Sequence, residues 1–242
     1  IFNFIEKMID NLGDFAITSS WENTKEIQDL RKDGKLETVL DGVDLDYYQN
    51  LPSKERSKKE LEVPMDKTVV VYTGALVANK GIDYLEKAIL LALEKSRNLF
   101  FIIAGFPSTG IREFVRKNNL ENNVRVINPL NYFDLPDILN ASDIAVDPKD
   151  SNVNQASGKI LQYMGAGLPV VCFDKSNNRE YLGKGGYYSQ KFSAEGISEG
   201  ILELMENSEG CKEMGIANSE RSKKFSWGNS AEKLDKIYNN LI

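Results

Sequence analysis

The sequence predicts an α/β protein built on a doubly wound parallel sheet, with a helical segment at its C-terminal end. Apolar runs recur at residues 68–73, 99–104, 124–127, 143–146 and 169–173, with a shorter one at 187–189. Their continuous apolar character marks strands buried on both faces. Between them, 82–94, 111–118, 135–140 and 159–165 carry apolar residues at three- and four-residue spacing, and strand–helix alternation of this kind builds parallel sheets. The last third, 194–205, 211–224 and 227–241, reads as three helices, with Ser226 the N-cap before Trp227.

Upstream of Thr68 the pattern changes. A helix is expected at 1–12, a short strand at 15–18, a helix near 22–32 and a short strand at 37–40. The charged, proline-containing stretch 41–66 reads as a linker. The organisation follows: 1–45 as the remnant of a preceding domain, 46–63 as linker, 64–225 as the main domain and 226–242 as a C-terminal helix. The chain begins at Ile1 rather than methionine, so residues upstream are expected.

Composition narrows the chemistry. With 242 residues, 41% of them hydrophobic, the chain can bury a sizeable core. Its 36 acidic and 30 basic residues give a net charge of −6, and the basic residues are interleaved with acids, as in Ser53-Lys-Glu-Arg-Ser-Lys-Lys-Glu60. Nucleic acid is therefore not an expected partner. Cys172 and Cys211 suggest neither a disulfide framework nor a metal cluster, and a reducing cytoplasm is the default expectation. There is no histidine, which excludes Ser-His-Asp and Cys-His chemistry within these residues. Acid–base work would fall to Asp, Glu, Lys, Tyr or the substrate.

Two segments carry phosphate-site chemistry. In Asn154-Gln-Ala-Ser-Gly-Lys-Ile-Leu-Gln-Tyr-Met-Gly-Ala-Gly-Leu-Pro-Val-Val171 a polar loop opens a helix that turns over into a buried strand. Its leading N–H groups suit an anion, with Ser157 and Gly158 letting a phosphate approach the backbone closely; the alternative is an ordinary helix of an α/β domain with a glycine-rich C-cap. In Val70-Val-Tyr-Thr-Gly-Ala-Leu-Val-Ala-Asn-Lys-Gly-Ile82 a buried strand ends at Gly74 and a helix begins near Gly81. Lys80 is thereby placed at the C-terminal edge of the sheet, where open α/β folds bind ligands. This is neither a Walker A loop nor the Gly-x-Gly-x-x-Gly fingerprint. Gly105-Phe-Pro107, Asn128-Pro-Leu-Asn-Tyr132 and Pro148-Lys-Asp-Ser-Asn152 end successive strands on the same edge and converge on one crevice.

At these residues the chain resembles the C-terminal, nucleotide-sugar-binding domain of the GT-B glycosyltransferases, in particular the retaining group called family 4. The markers are Asp14-Phe-Ala-Ile-Thr-Ser-Ser20, Asp41-Gly-Val-Asp44, Tyr72-Thr-Gly-Ala-Leu-Val-Ala-Asn-Lys-Gly-Ile-Asp83, Ile103-Ala-Gly105, Leu135-Pro-Asp-Ile-Leu-Asn-Ala-Ser-Asp143, Lys159-Ile-Leu-Gln-Tyr-Met-Gly-Ala-Gly-Leu-Pro-Val-Val171 and Phe225-Ser-Trp227. The resemblance implies a Rossmann-like donor domain, one half of a two-domain enzyme, with most of the acceptor half absent and the final helix returning across the cleft. Catalysis is implied for Lys80, which holds the donor diphosphate.

The nucleotide-sugar site implied comprises Gly74, Lys80, Gly105, Asn128, Leu130, Asn154, Ser157, Gly158, Lys159, Ile160 and Gln162. Asn128 to Leu130 line the base and Gln162 faces the ribose. The paired glutamates of the family, eight positions apart, fall at Asn154 and Gln162, and the arginine after the loop glycine is Ala75. An amide keeps hydrogen bonding to sugar hydroxyls and loses a carboxylate's charge.

The resemblance implies transfer of a hexose-type sugar from a nucleotide diphosphate sugar to a glycan or lipid-linked cell-envelope acceptor, with retention and no metal or other cofactor. This chain alone is expected to bind and not to transfer. Peripheral contact with the inner face of the membrane is a further expectation. A non-catalytic glycosyltransferase-like subunit that stabilises a partner enzyme is the alternative, and a nucleotide-sugar isomerase ranks last for want of acids in the cleft. Tyr47, Tyr48, Tyr187 and Tyr188 are read as packing residues.

Overall fold

Residues 5, 8, 9, 11–31, 33–149 and 155–241 are described in a computed structural model of the chain. The strands β3 (Thr68–Ala75), β4 (Leu99–Phe106), β5 (Val124–Ile127), β6 (Ile144–Asp147), β7 (Val170–Phe173) and β8 (Gly186–Ser189) form a six-stranded sheet in the order β5-β4-β3-β6-β7-β8. Every pairing in it is parallel. The continuous apolar runs are explained by burial on both faces. Val70, Tyr72, Phe101, Ile103, Ile144, Val146, Val171 and Phe173 feed one core layer. Their neighbours Val69, Val71, Phe100, Ile102, Ala104, Ala145, Val170 and Cys172 feed the other.

The first layer is closed by helices α3 (Ile82–Lys95) and α8 (Ala194–Glu206), which pack on each other. The second is closed by α5 (Leu135–Asn140) and α6 (Gly158–Gly165), whose Ile160, Leu161, Tyr163 and Met164 are fully buried. Helices α4 (Thr109–Lys117), α7 (Ser176–Leu182), α9 (Ser208–Ser222) and α10 (Trp227–Asn239) complete this part of the chain. The chain runs outward from β3 to β4 and β5, then returns to the other side of β3 for β6. That reversal leaves a crevice beyond the C-terminal ends of β3 and β6, since the helices that follow them diverge.

Ahead of the sheet, β1 (Ala16–Thr18) and β2 (Leu36–Thr38) form a separate two-stranded parallel sheet around α1 (Trp21–Gln28). Trp21 docks it edge-on against Tyr181 and Phe225, with ring centroids 5.0 and 6.3 Å away. Ser226 caps α10 by accepting from the Asn229 N–H, as expected. The helix reaches back to the first segment through Ser230 Oγ donating to the Leu40 carbonyl (2.8 Å) and a Lys233–Glu37 ion pair (2.8 Å).

The stretch read as a linker is in part regular structure: a 3-10 turn at Leu45–Tyr48 and a helix α2 (Lys54–Glu60). Only Ser57 and Lys58 of α2 are buried, so the helix has no apolar stripe for a periodicity reading to detect. It is anchored by polar groups instead, through a Lys54–Asp143 ion pair at 2.5 Å and Asn140 Nδ2 donating to the Pro52 carbonyl and Ser57 Oγ, both at 2.9 Å. Helix α7 was not expected either; its buried face is Asn177, Asn178, Tyr181 and Leu182, half of it polar. The helix expected at 1–12 falls mostly outside the described residues.

Candidate functional site

The crevice begins with β3. Its last residues need glycine, because Gly74 (φ +115°) faces Gly105 across the β3–β4 register and a Cβ on Gly105 would lie 1.8 Å from the Gly74 carbonyl oxygen. Beyond Gly74 the chain turns through a loop cinched by the Tyr72 hydroxyl, which donates to the Ala75 carbonyl at 2.8 Å. Gly81 then sits in the left-handed region (φ 82°, ψ 25°) as the N-cap of α3. Its missing side chain matters, because a Cβ there would meet the Pro148 carbonyl oxygen at 1.8 Å. The turn bearing Lys80 therefore rests directly on the backbone that leaves β6.

From that second strand come two residues the sequence reading did not single out. Asp147 ends β6 with 1% exposure, and Lys149 follows at 4%. Lys159, on the first turn of α6, sends its side chain back into the sheet edge rather than outward. Its ammonium lies 3.4 Å from Asp147 Oδ1 and 3.8 Å from the centroid of the Tyr72 ring, with the side chain 11% exposed. Neither carboxylate oxygen nor this ammonium has a hydrogen-bond partner among the described residues. The side chain runs alongside Gly74, where an added Cβ would be in van der Waals contact with Lys159 Cε at 3.4 Å. Lys149 Nζ donates to the carbonyls of Gln155 and Ala156, the latter at 3.1 Å. Burial pushes this lysine down to about 8, helped by the like charges of Lys80, Lys175 and Lys159 and opposed by Asp147. A chain of net negative charge has thus gathered Lys80, Lys159, Lys175 and the Asp147 carboxylate within electrostatic reach of Lys149.

Helix α6 is held against this cluster by Tyr163, fully buried, whose hydroxyl accepts the Thr73 backbone N–H at 2.8 Å. Burial raises the Tyr163 phenol well above its ordinary value, so it stays neutral. The leading N–H groups of a helix lack intrahelical acceptors, and the start of α6 points those of Gly158 and Lys159 along its axis. Ile160 does not contribute in this way: its N–H is given to the Ser157 carbonyl at 3.0 Å and its side chain is core.

Gln162 lies one turn further, half-buried, with its amide oriented by two phenols. Tyr48 donates to Oε1 at 2.6 Å, and Nε2 donates to the Tyr132 hydroxyl at 3.5 Å. Burial raises the Tyr48 phenol. Tyr48 was read as a packing residue, and it does pack, over Gly165, but its hydroxyl belongs to the site. Tyr47 stays a packing residue, edge-on to Tyr132 and Phe133.

Asn128 spends its side-chain amide on Ser108 Oγ (2.7 Å), tying the loop after β4 to the end of β5. Leu130 is half-buried against the second core layer. Gly74, Lys80, Gly105, Ser157, Gly158, Lys159 and Gln162 lie along the crevice, and Asn128 and Leu130 lie at its β5 end. Asn154 lies outside the described residues. No group of three His, Cys, Asp or Glu able to hold a metal occurs among the described residues, and none of their helices is long and apolar enough to cross a membrane. At the opposite, N-terminal edge of the sheet a cavity of about 480 Å³ is lined by Lys54, Lys58, Asp143 and Cys211. The Cys211 thiol there donates to the Leu204 carbonyl at 3.0 Å and is raised by burial, which suits a structural thiol.

The D-inositol 3-phosphate glycosyltransferase of Corynebacterium glutamicum is 26% identical, over 98% of this chain and 59% of the relative. The chain therefore spans about three fifths of the length of such relatives. Among solved structures, a sucrose-phosphate synthase from Thermosynechococcus elongatus superposes with a TM-score of 0.84 at 18% identity, covering 98% of this chain and 61% of that one. Anabaena HepE in complex with UDP-glucose gives 0.83 at 18% identity, covering 98% and 66%. These likenesses place the six-stranded α/β sheet among GT-B glycosyltransferase folds. The family described as Glycosyl transferases group 1 matches residues 53–221, and the chain belongs to that family.

Proposed function

We propose that this chain is the donor-binding half of a retaining glycosyltransferase, with the acceptor bound largely by a domain outside it. The observation that carries the reading is the lysine cluster at the strand-order reversal, beside a helix start. Such an arrangement is complementary to a diphosphate, the most highly charged part of a nucleotide sugar. In this reading Lys80 contacts the diphosphate directly and the N–H groups of Gly158 and Lys159 cap it. Lys159's buried ammonium acts through its field. As the bond from the anomeric carbon to the diphosphate breaks, the leaving group takes the electron pair. Fixed positive charge that needs no reorganisation stabilises it there. The scheme assigns that role to lysines and backbone rather than to a divalent cation.

Gln162, fixed by Tyr48 and Tyr132, presents its remaining donor and acceptor capacity to a ribose or sugar hydroxyl. In this reading Asn128 and Leu130 line the base. The solved complex of HepE with UDP-glucose supports a nucleotide sugar as donor, and the D-inositol 3-phosphate glycosyltransferase relative supports a small hydroxylated acceptor.

Calorimetric titration of the chain with UDP, GDP and ADP tests the reading. One nucleotide is expected to saturate, and Lys80→Ala is expected to weaken it about tenfold to a hundredfold, the worth of a charge-assisted hydrogen bond. A folded chain that binds none of the three would refute the donor site.

A further inference from the structure

The scheme above gives Lys149 of the cluster no role of its own, yet a lysine is seldom buried to this degree unless paired. Its ammonium lies between two loops that meet at the strand-order reversal. One is the turn bearing Lys80, which rests through Gly81 on the Pro148 carbonyl. The other leads into α6, and Lys149 holds its last carbonyls, those of Gln155 and Ala156. Those carbonyls directly precede Ser157, the N-cap of α6. A cation fixed to them determines where the leading N–H groups of the helix point.

We propose that Lys149 is a positioning residue of the diphosphate site, which orients the start of α6 and takes up a proton when the anionic diphosphate arrives. This rests on the nucleotide-sugar reading above. The groups facing Lys149 are Lys80 from the β3–α3 loop, Asp147 from β6, Lys159 from α6 and Lys175 from the β7–α7 loop. Three are cations and one is an anion, so the empty site disfavours a protonated Lys149. Phosphate oxygens beside Lys80 reverse that balance. The fraction of Lys149 that is neutral near and above pH 8 then takes a proton from the buffer, and the ammonium keeps its bonds to the two carbonyls.

The sign of the pH dependence follows. Without ligand, a lysine at about 8 in the fold against 10.5 unfolded sheds its proton first in the folded state. Its contribution to stability therefore rises with pH across that window. Ligand affinity runs the other way and falls as pH climbs above about 8, because the protonated form is the one the ligand stabilises.

The experiment is calorimetric titration of the full chain with UDP at about pH 8.5 in buffers of different ionisation enthalpy. The second phosphate ionisation of UDP, near a pKa of roughly 6, is complete there and contributes no proton. The wild type is expected to take up a fraction of a proton per UDP. Lys149→Met should show no uptake and about tenfold or more weaker binding, while melting no lower than wild type because a buried charge has been removed. Lys149→Arg, charged throughout this range, should bind without the pH slope. Uptake that persists in Lys149→Met assigns the proton to another group and overturns the proposal. So does a Lys149→Met chain that binds UDP as the wild type does. A wild type that binds no nucleotide at all removes the donor-site reading itself, which distinguishes the two failures.

Discussion

Gly81→Ala is expected to destabilise the chain by about 3 kcal/mol or more, from a left-handed backbone and a hard overlap acting together. At φ 82° an L-residue is strained, and the added Cβ would lie 1.8 Å from the Pro148 carbonyl oxygen and 2.5 Å from its carbon. Both are backbone atoms just past the end of the central strand β6, so no side chain can rotate away. The turn bearing Lys80 has to lift off β6, which separates Lys80 from Lys149 and opens the crevice. For a chain of this length the midpoint should fall by roughly 6–12 °C, and nucleotide binding should be lost even where the variant remains folded. Gly110→Ala is the control. Nothing lies within 4 Å of its added Cβ and it occupies the first turn of α4, so it should be neutral or stabilising by about 0.5–1 kcal/mol. Equal effects at the two positions, read by urea unfolding, would show that Gly81 is not a packing constraint.

The contrast between these glycines shows what a linear pattern carries. Strands β3, β4 and β6 were legible because burial on both faces writes itself as uninterrupted apolar sequence, and Lys80 because a lysine after a buried strand and before a helix has one edge to occupy. Asp147 was not, and Lys149 was legible only as one residue of the polar segment 148–152 at that edge. An acid at the end of a strand and a lysine in a polar loop look solvated, and their burial follows from β6 lying beside β3, a neighbour relation that local sequence does not contain. Tyr48 was read as packing for the same reason, since its partner Gln162 is 114 residues away. The backbone of Lys159 was placed at a helix start, as found. The course of its side chain is set by Asp147 and the Tyr72 ring, which only the folded register brings beside it. Helix α2 was missed because its anchors are ion pairs and amides rather than apolar contacts.

Asp147→Ala is expected to cost about 3–5 kcal/mol, because it leaves the Lys159 ammonium buried over Tyr72 without a counter-charge. Lys159→Met should be damaging in turn, stranding a carboxylate whose two oxygens already lack hydrogen bonds among the described residues. The double variant decides what the pair is for. A buried ion pair repays its desolvation poorly when its geometry is loose and its remaining hydrogen bonds are unmade, and here the separation is 3.4 Å. Asp147→Ala/Lys159→Met should therefore recover most of the lost stability, giving a large favourable coupling in a double-mutant cycle followed by denaturant. Nucleotide affinity should not recover with it, since the lysine field at the end of β3 is gone. A double variant as unstable as Asp147→Ala alone would mean that the pair supports the fold. Recovered stability with wild-type UDP affinity would mean that Lys159's charge is not used. Stability regained without binding is the outcome the geometry favours, because a protein retains an ill-satisfied charge pair at its strand-order reversal when the ligand, rather than the fold, needs the charge.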